Sequence, residues 1–380
     1  MNAPPTGGVL PSPLRGGAGG LAGRICPADY RYPVSALNRA PDFSADILYV
    51  VGGLYGNFAA LGEIARLAAR ERGPVTIVFN GDYHWFDAEP HWFAEIERGV
   101  ARHHSIRGNV ETEIARVADI GAGCGCAYPD DVDQGIVMRS NEILAELREV
   151  LRGLGRRDLA QLRENFVGTH DDALVDVVRI SAAAARADVG NTRDLGFDIA
   201  ADAVMPRHAA LPMHRVATVG GLRVGIVHGD ADSLAGWAFA HDTLDDPAST
   251  AWLAEVRSQS GVDVFASTHT CLAALREFAL PERLTIINNG AAGMANFSGT
   301  RFGLISRIAT RPSPHPALYG VARDGLFIDA VAVEYDLAAF LARFEKCWPE
   351  GSPAHISYHR RIVAGPSYRV EQAKGRARFA

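Results

Sequence analysis

The sequence predicts an α/β protein, and three observations carry the prediction. Short apolar runs that read as buried strands alternate with stretches of helical periodicity. Most of those runs end in a turn that places Gly beside Asp, Asn or His. At 380 residues and 48% apolar content, the chain can bury one large core or two of ordinary size.

Residues 1–24 are Gly- and Pro-rich without periodicity, so they cannot bury enough surface to offset their ordering entropy and are expected to be disordered. Residues 46–51 form the first apolar strand, followed by the turn Gly53-Leu54-Tyr55-Gly56-Asn57 and a helix from Phe58 to Arg70 with Leu61, Ile64, Leu67 and Ala68 on one face. A second strand, 74–79, stops at Asn80-Gly81-Asp82. A helical stretch near 91–101 then leads to a short strand, 104–107, which opens onto Gly108-Asn109-Val110-Glu111.

From about 134 to 200 the pattern turns helical. Ile143, Leu144, Leu147, Val150 and Leu151 follow helical spacing after a cap at Ser140, and similar patterns lie near 159–166 and 174–185. This segment holds no donor-bearing turn and reads as a helical insertion. A hairpin follows, 214–219 and 223–227 around Gly220-Gly221, ending at His228-Gly229-Asp230. Further strands are expected at 262–266, ending near Thr268-His269, at 284–287 before Asn288-Asn289-Gly290, and at 304–308 and 327–335. A helix capped by Asp336 comes last, and the final 30 residues or so are polar.

The 38 basic and 44 acidic residues are mixed along the chain, which argues against nucleic acid and anionic membrane surfaces as partners. No stretch approaches the roughly 20 apolar residues that cross a bilayer and the first 25 residues have no apolar signal core, so a cytoplasmic location is expected. The five cysteines, Cys26, Cys124, Cys126, Cys271 and Cys347, are too sparse for a disulfide framework, and Cys124-Gly125-Cys126 reads as a structural loop.

Asp82, Asn109, His228 and His269 are a carboxylate, a carboxamide and two imidazoles at strand ends, donors that Mn²⁺, Fe²⁺ or Zn²⁺ accept. Strand ends of one α/β sheet open on a common crevice, so these four are expected to converge. The ordered clusters Gly81-Asp82, Gly108-Asn109-Val110-Glu111, His228, Thr268-His269 and Asn288-Asn289-Gly290 resemble the calcineurin-like metallophosphoesterases over roughly residues 45–310. The resemblance implies a four-layer αββα sandwich of two mixed sheets with helices outside. It implies a domain over 25–345, with a helical insertion at about 134–212 and a C-terminal extension over 346–380. It also implies hydrolysis of a small-molecule phosphate ester by water activated on one or two divalent ions.

On that resemblance Asp82 bridges two ions, Asn109 and His228 hold the second, and His269 holds the first. The departures are Gly53 and Tyr55 in place of the first Asp and His, Ser267 for the first His of Gly-His-x-His, and Val110 for the His that assists the leaving group. These losses leave room for a catalytically inactive relative that binds a phosphorylated ligand. Gly56 and Asn57 stand where a helix N-terminus can receive phosphate. Tyr55 offers its phenol to a ligand or fills the space of an absent ion. His84 is expected as a replacement ligand or general acid, or else as a loop histidine, and Asp230 as a second catalytic group or a turn-stabilising residue. His103, His104, His170, His208 and His214 have no motif context.

Overall fold

The computed structural model describes residues 20–154 and 207–375. Two parallel triplets of strands organise it. β2 (Ile47–Val51), β3 (Val75–Asn80) and β4 (His104–Ile106) run parallel. β10 (Gly303–Ala309), β12 (Leu326–Val333) and β11 (Ala317–Arg323) extend this sheet antiparallel in the order β11-β12-β10-β2-β3-β4. In the second sheet β6 (Leu222–Val227), β7 (Val264–Ser267) and β9 (Leu284–Asn288) are parallel. β5 (His214–Val219), β1 (Phe43–Ala45) and β8 (Ala274–Phe278) complete the order β1-β5-β6-β7-β9-β8.

The strand period of two assigns alternate residues to two cores. Leu48 and Val50 of β2 join Val264 and Ala266 of β7 and Ile287 of β9 in a buried layer between the sheets. Ile47, Tyr49 and Val51 point the other way, onto Leu61, Ile64 and Leu67 of the helix Phe58–Ala69 and onto Leu144 and Leu147 of the helix Gln134–Leu154. On the far side Phe265 and Ile286 pack under Trp252, Leu253 and Val256 of the helix Ser249–Ser260. The result is helix, sheet, sheet, helix, as expected, and each fully buried aliphatic side chain contributes about 1.5–3 kcal/mol to holding the layers.

β1, β8 and β11 were not anticipated, and all three are edge strands. An edge strand has one neighbour, so it can be short and polar and leave little pattern to read. The expected extension beyond residue 346 is built into the cores. Its helix Pro353–Ala364 buries Ala354 and Ile362 beside the Gln134–Leu154 helix, and Tyr368 and Ala373 enter the layer between the sheets. The helical patterns at 159–166 and 174–185, His170 and residues 1–19 lie outside the described residues. Among the described residues no helix is long and apolar enough to cross a membrane.

Candidate metal centre

Because each triplet is parallel, the carboxyl ends of β2, β3 and β4 and those of β6, β7 and β9 open on one rim. Asp82 follows β3, Asn109 follows β4, His228 follows β6 and His269 follows β7. The turns there are tight. Gly81 has φ +81°, and a Cβ on it would lie 2.6 Å from both the Gly108 Cα and the His228 Nδ1. No other residue type fits between the β3 and β4 turns.

Asp82 itself is left-handed, at φ +54°, an uncommon state for a non-glycine residue. Glu111 holds it there. Its fully buried carboxylate accepts the backbone N–H of Asp82 at 2.8 Å, of Tyr83 at 3.0 Å and of Gly108 at 2.9 Å, tying the two turns together.

The donors of the converging groups all face outward. His228 Nδ1–H donates to the Asn80 carbonyl at 2.8 Å, and His269 Nε2–H donates to the Cys126 carbonyl at 3.0 Å. The Asn109 amide nitrogen donates to the Cys124 carbonyl at 3.0 Å. What remains inward is His228 Nε2, His269 Nδ1, Asn109 Oδ1 and Asp82 Oδ1. From His228 Nε2 they lie at 3.1 Å to His269 Nδ1, 3.1 Å to Asn109 Oδ1 and 3.4 Å to Asp82 Oδ1. With His228 in its neutral form, four lone-pair atoms thus meet with their remaining hydrogens turned away, a donor set that suits a divalent cation, with both imidazole tautomers fixed from outside.

Burial alone would raise the Asp82 carboxyl, but His228 and then His269 outweigh it and hold it below its ordinary value. Burial lowers His228 less than the Asp82 carboxylate lifts it, so its proton affinity stands above the ordinary value. His269 is pushed down to about 3 by burial and by His228.

The Cys124–Cys126 loop supplies the carbonyls that orient Asn109 and His269, as a structural loop should. Beside the cluster lies a cavity of about 160 Å³, whose walls include Asp82, Asn109, His269 and Tyr55. The Tyr55 ring folds back over Gly53. A Cβ on Gly53 would meet it at 2.9 Å, and its hydroxyl lies 2.9 Å from Cys271 Sγ. The ring therefore occupies the space that a side chain at position 53 would need.

Several expectations need correction. His84 does not reach the cavity. It is fully buried against Phe93, with Nδ1 on Asp87 at 2.8 Å and Nε2 on Glu97 at 2.9 Å. Glu97 also binds His208 and Arg207. His84, Glu97 and His208 have donor atoms within 4.8 Å of one another. Here, however, the imidazole nitrogens point at a carboxylate that Arg207 already neutralises, so hydrogens rather than lone pairs knit the group.

Asp230 is not at the cavity either. It is fully buried, and it caps its own turn by accepting the N–H of Asp232 at 3.2 Å and of Ala238 at 3.1 Å. Asn57 is the N-cap of the helix Phe58–Ala69. Its side chain accepts the Ala60 N–H at 3.0 Å and donates to the Gly293 carbonyl, so it is engaged as a cap rather than turned to the cavity. Gly56, at φ +71°, backs onto Asp87 rather than a ligand. Asn289 pins the β2 turn to β10 through the Gly52 and Leu304 carbonyls.

Sequence reasoning missed Glu111 as the brace of Asp82, although the residue was in a recognised cluster. It also missed Trp85, Tyr128, Trp237, Tyr358 and Arg361, which line the cavity as well. Ser352-Pro353 and Gly365 are legible start and stop signals for the helix carrying Tyr358 and Arg361.

No protein-family model and no curated protein matches the sequence. Among solved structures, a metallophosphoesterase from Sphaerobacter thermophilus is 14% identical with a TM-score of 0.42, over 84% of this chain and 100% of that one. A hypothetical protein from Pyrococcus horikoshii OT3 is 15% identical with a TM-score of 0.45, over 84% and 99%. Vps29 from Entamoeba histolytica, solved with zinc, is 11% identical with a TM-score of 0.30, over 76% and 99%. With two mixed six-stranded sheets between helices and its ordered clusters gathered at one rim, the chain is a four-layer αββα sandwich.

Proposed function

We propose that the chain is a phosphoesterase that works with a single divalent cation on a small phosphate ester. The observation that carries this reading is the meeting of four lone-pair atoms from Asp82, Asn109, His228 and His269 at the edge of a cavity. A bound cation would bring Lewis acidity toward a phosphoryl oxygen and toward water. The chain's own residues do the rest. Outward hydrogen bonds to the Asn80, Cys124 and Cys126 carbonyls aim the lone pairs, and Glu111 fixes the Asp82 turn.

A single ion is proposed because Tyr55 fills the place of the first cage. The same observation favours a second reading, a protein that binds a phosphate ester without turning it over. Protein prepared without chelator is assayed with Mn²⁺ and 4-nitrophenyl phosphate. Turnover that Asp82→Asn removes supports the phosphoesterase; ligand-dependent thermal stabilisation with no turnover selects the binder.

A further inference from the structure

Among the described residues, the cavity wall holds one guanidinium. Arg361 lines it from the helix Pro353–Ala364. Its Nε donates to the Ala295 carbonyl at 3.1 Å and its Nη2 to the Cys271 carbonyl at 2.6 Å. Two carbonyl anchors fix the plane of the guanidinium. Among the described residues no carboxylate pairs with it, so its charge is not neutralised beside the lone-pair cluster.

Five of the other wall residues are aromatic, Tyr55, Trp85, Tyr128, Trp237 and Tyr358, and Cys126, Thr270 and Cys271 complete the lining. Val110, which stands for the leaving-group His of the resemblance, is buried in the helix-side core. His269 gives its Nε2–H to the Cys126 carbonyl and turns a lone pair inward at Nδ1, and burial drives Tyr55, Tyr128, Tyr358 and the Cys271 thiol above their ordinary values, making them poorer acids.

We infer that Arg361 holds the phosphoryl oxygens in place of the charge that the absent first ion would supply, and that the aromatic walls select a phosphate monoester of a phenol. This rests on the phosphoesterase reading for its chemistry, though not for its binding. In hydrolysis the P–O bond to the aryl oxygen breaks, and water adds its oxygen to phosphorus. The water's protons pass to phosphate and solvent, and the phenoxide leaves with the bonding pair. A phenoxide is stable enough to depart unprotonated, which fits a site without a positioned acid.

The test measures orthophosphate and 4-nitrophenol binding by calorimetry, with Mn²⁺ present, for the wild type, Arg361→Gln, Arg361→Lys and Tyr358→Leu. Melting temperature and Mn²⁺ binding verify that each variant is folded. Loss of one charge-assisted contact predicts phosphate binding weakened about tenfold or more in Arg361→Gln, with Mn²⁺ binding kept. Arg361→Lys should retain part of it, since the charge stays and the fork is lost. Tyr358→Leu should weaken 4-nitrophenol and leave phosphate unchanged.

Orthophosphate binding equal to wild type in folded Arg361→Gln overturns the clamp. If the Gln variant does not fold, the Lys variant decides: unaltered phosphate binding in it overturns the clamp, and a partial loss supports it. In a turnover arm, kcat/KM higher for 4-nitrophenyl phosphate than for glycerol 3-phosphate in the wild type, with the gap narrowed in Tyr358→Leu, supports aryl selection; equal values overturn it. If neither ester turns over but Arg361→Gln still loses phosphate, the phosphoesterase reading fails and the clamp stands.

Discussion

Substituting Glu111 separates the brace of the site from its ligands. The carboxylate has two oxygens and three backbone N–H partners: Oε2 accepts from Asp82 and Gly108, and Oε1 accepts from Tyr83. In Glu111→Gln the amide oxygen can keep the pair on one side, while the amide nitrogen then faces the Tyr83 N–H, donor against donor. One buried N–H left without an acceptor costs about 1–3 kcal/mol, so a loss near 2 kcal/mol is expected. Glu111→Ala leaves all three unsatisfied. At the same rate the loss is roughly 3–9 kcal/mol, comparable with the whole stability of a typical domain, and that variant should not accumulate folded.

The Gln variant should also bind Mn²⁺ more weakly, because the left-handed turn at Asp82 is no longer over-determined. Urea unfolding and Mn²⁺ titration of the wild type and Glu111→Gln give both numbers. If Gln matches the wild type in stability within about 0.5 kcal/mol and in Mn²⁺ affinity, the proposed brace is refuted.

Three further outcomes follow from the geometry. Gly53→Asp combined with Tyr55→His should restore a second cation equivalent, since the ring over Gly53 is removed and a carboxylate and an imidazole are supplied; a single equivalent in that double variant counts against Tyr55 as the occupant of the first cage. His84 is pushed up to about 9 from its ordinary 6.5: burial opposes its charge, and Asp87 and Glu97 outweigh burial. Its folded-state proton is held more tightly than in the unfolded chain, so its contribution is complete below pH 6.5 and is lost as pH rises through about 9, with a ceiling on the order of 3 kcal/mol. Urea unfolding across that window should show the decline in the wild type, and an equally steep decline in His84→Gln removes His84 as its source. Finally, the raised proton affinity of His228 means that an entering cation displaces a proton, so Mn²⁺ affinity should fall as pH is lowered. Calorimetry in two buffers of different ionisation enthalpy reads the release directly, and buffer-independent heats contradict it.

Much of this was legible in the chain. The buried parallel strands β2, β3, β6, β7 and β9 announce themselves as continuous apolar runs, because both faces of each sheet are covered. The polar residues at their ends are legible for the same reason: a carboxylate or imidazole directly after a buried strand stands out. The edge strands β1, β8 and β11 left no comparable trace, whereas the edge strand β4 was readable at 104–107. His84 misled because proximity in sequence to Asp82 does not set direction; after the left-handed turn at Asp82 the chain carries the imidazole under Phe93, away from the cavity. Arg361 was hidden for the opposite reason. It lies 92 residues beyond His269 in a stretch whose composition looks like a polar tail, and only the tertiary packing of its helix brings it to the same wall.

The central claim is a site for a single cation built from Asp82, Asn109, His228 and His269. Equilibrium dialysis against Mn²⁺, with metal analysis of the wild type and Asp82→Asn, tests it most directly. The expected result is one equivalent per chain in the wild type and none in the variant. Two equivalents in the wild type, or none, would contradict it.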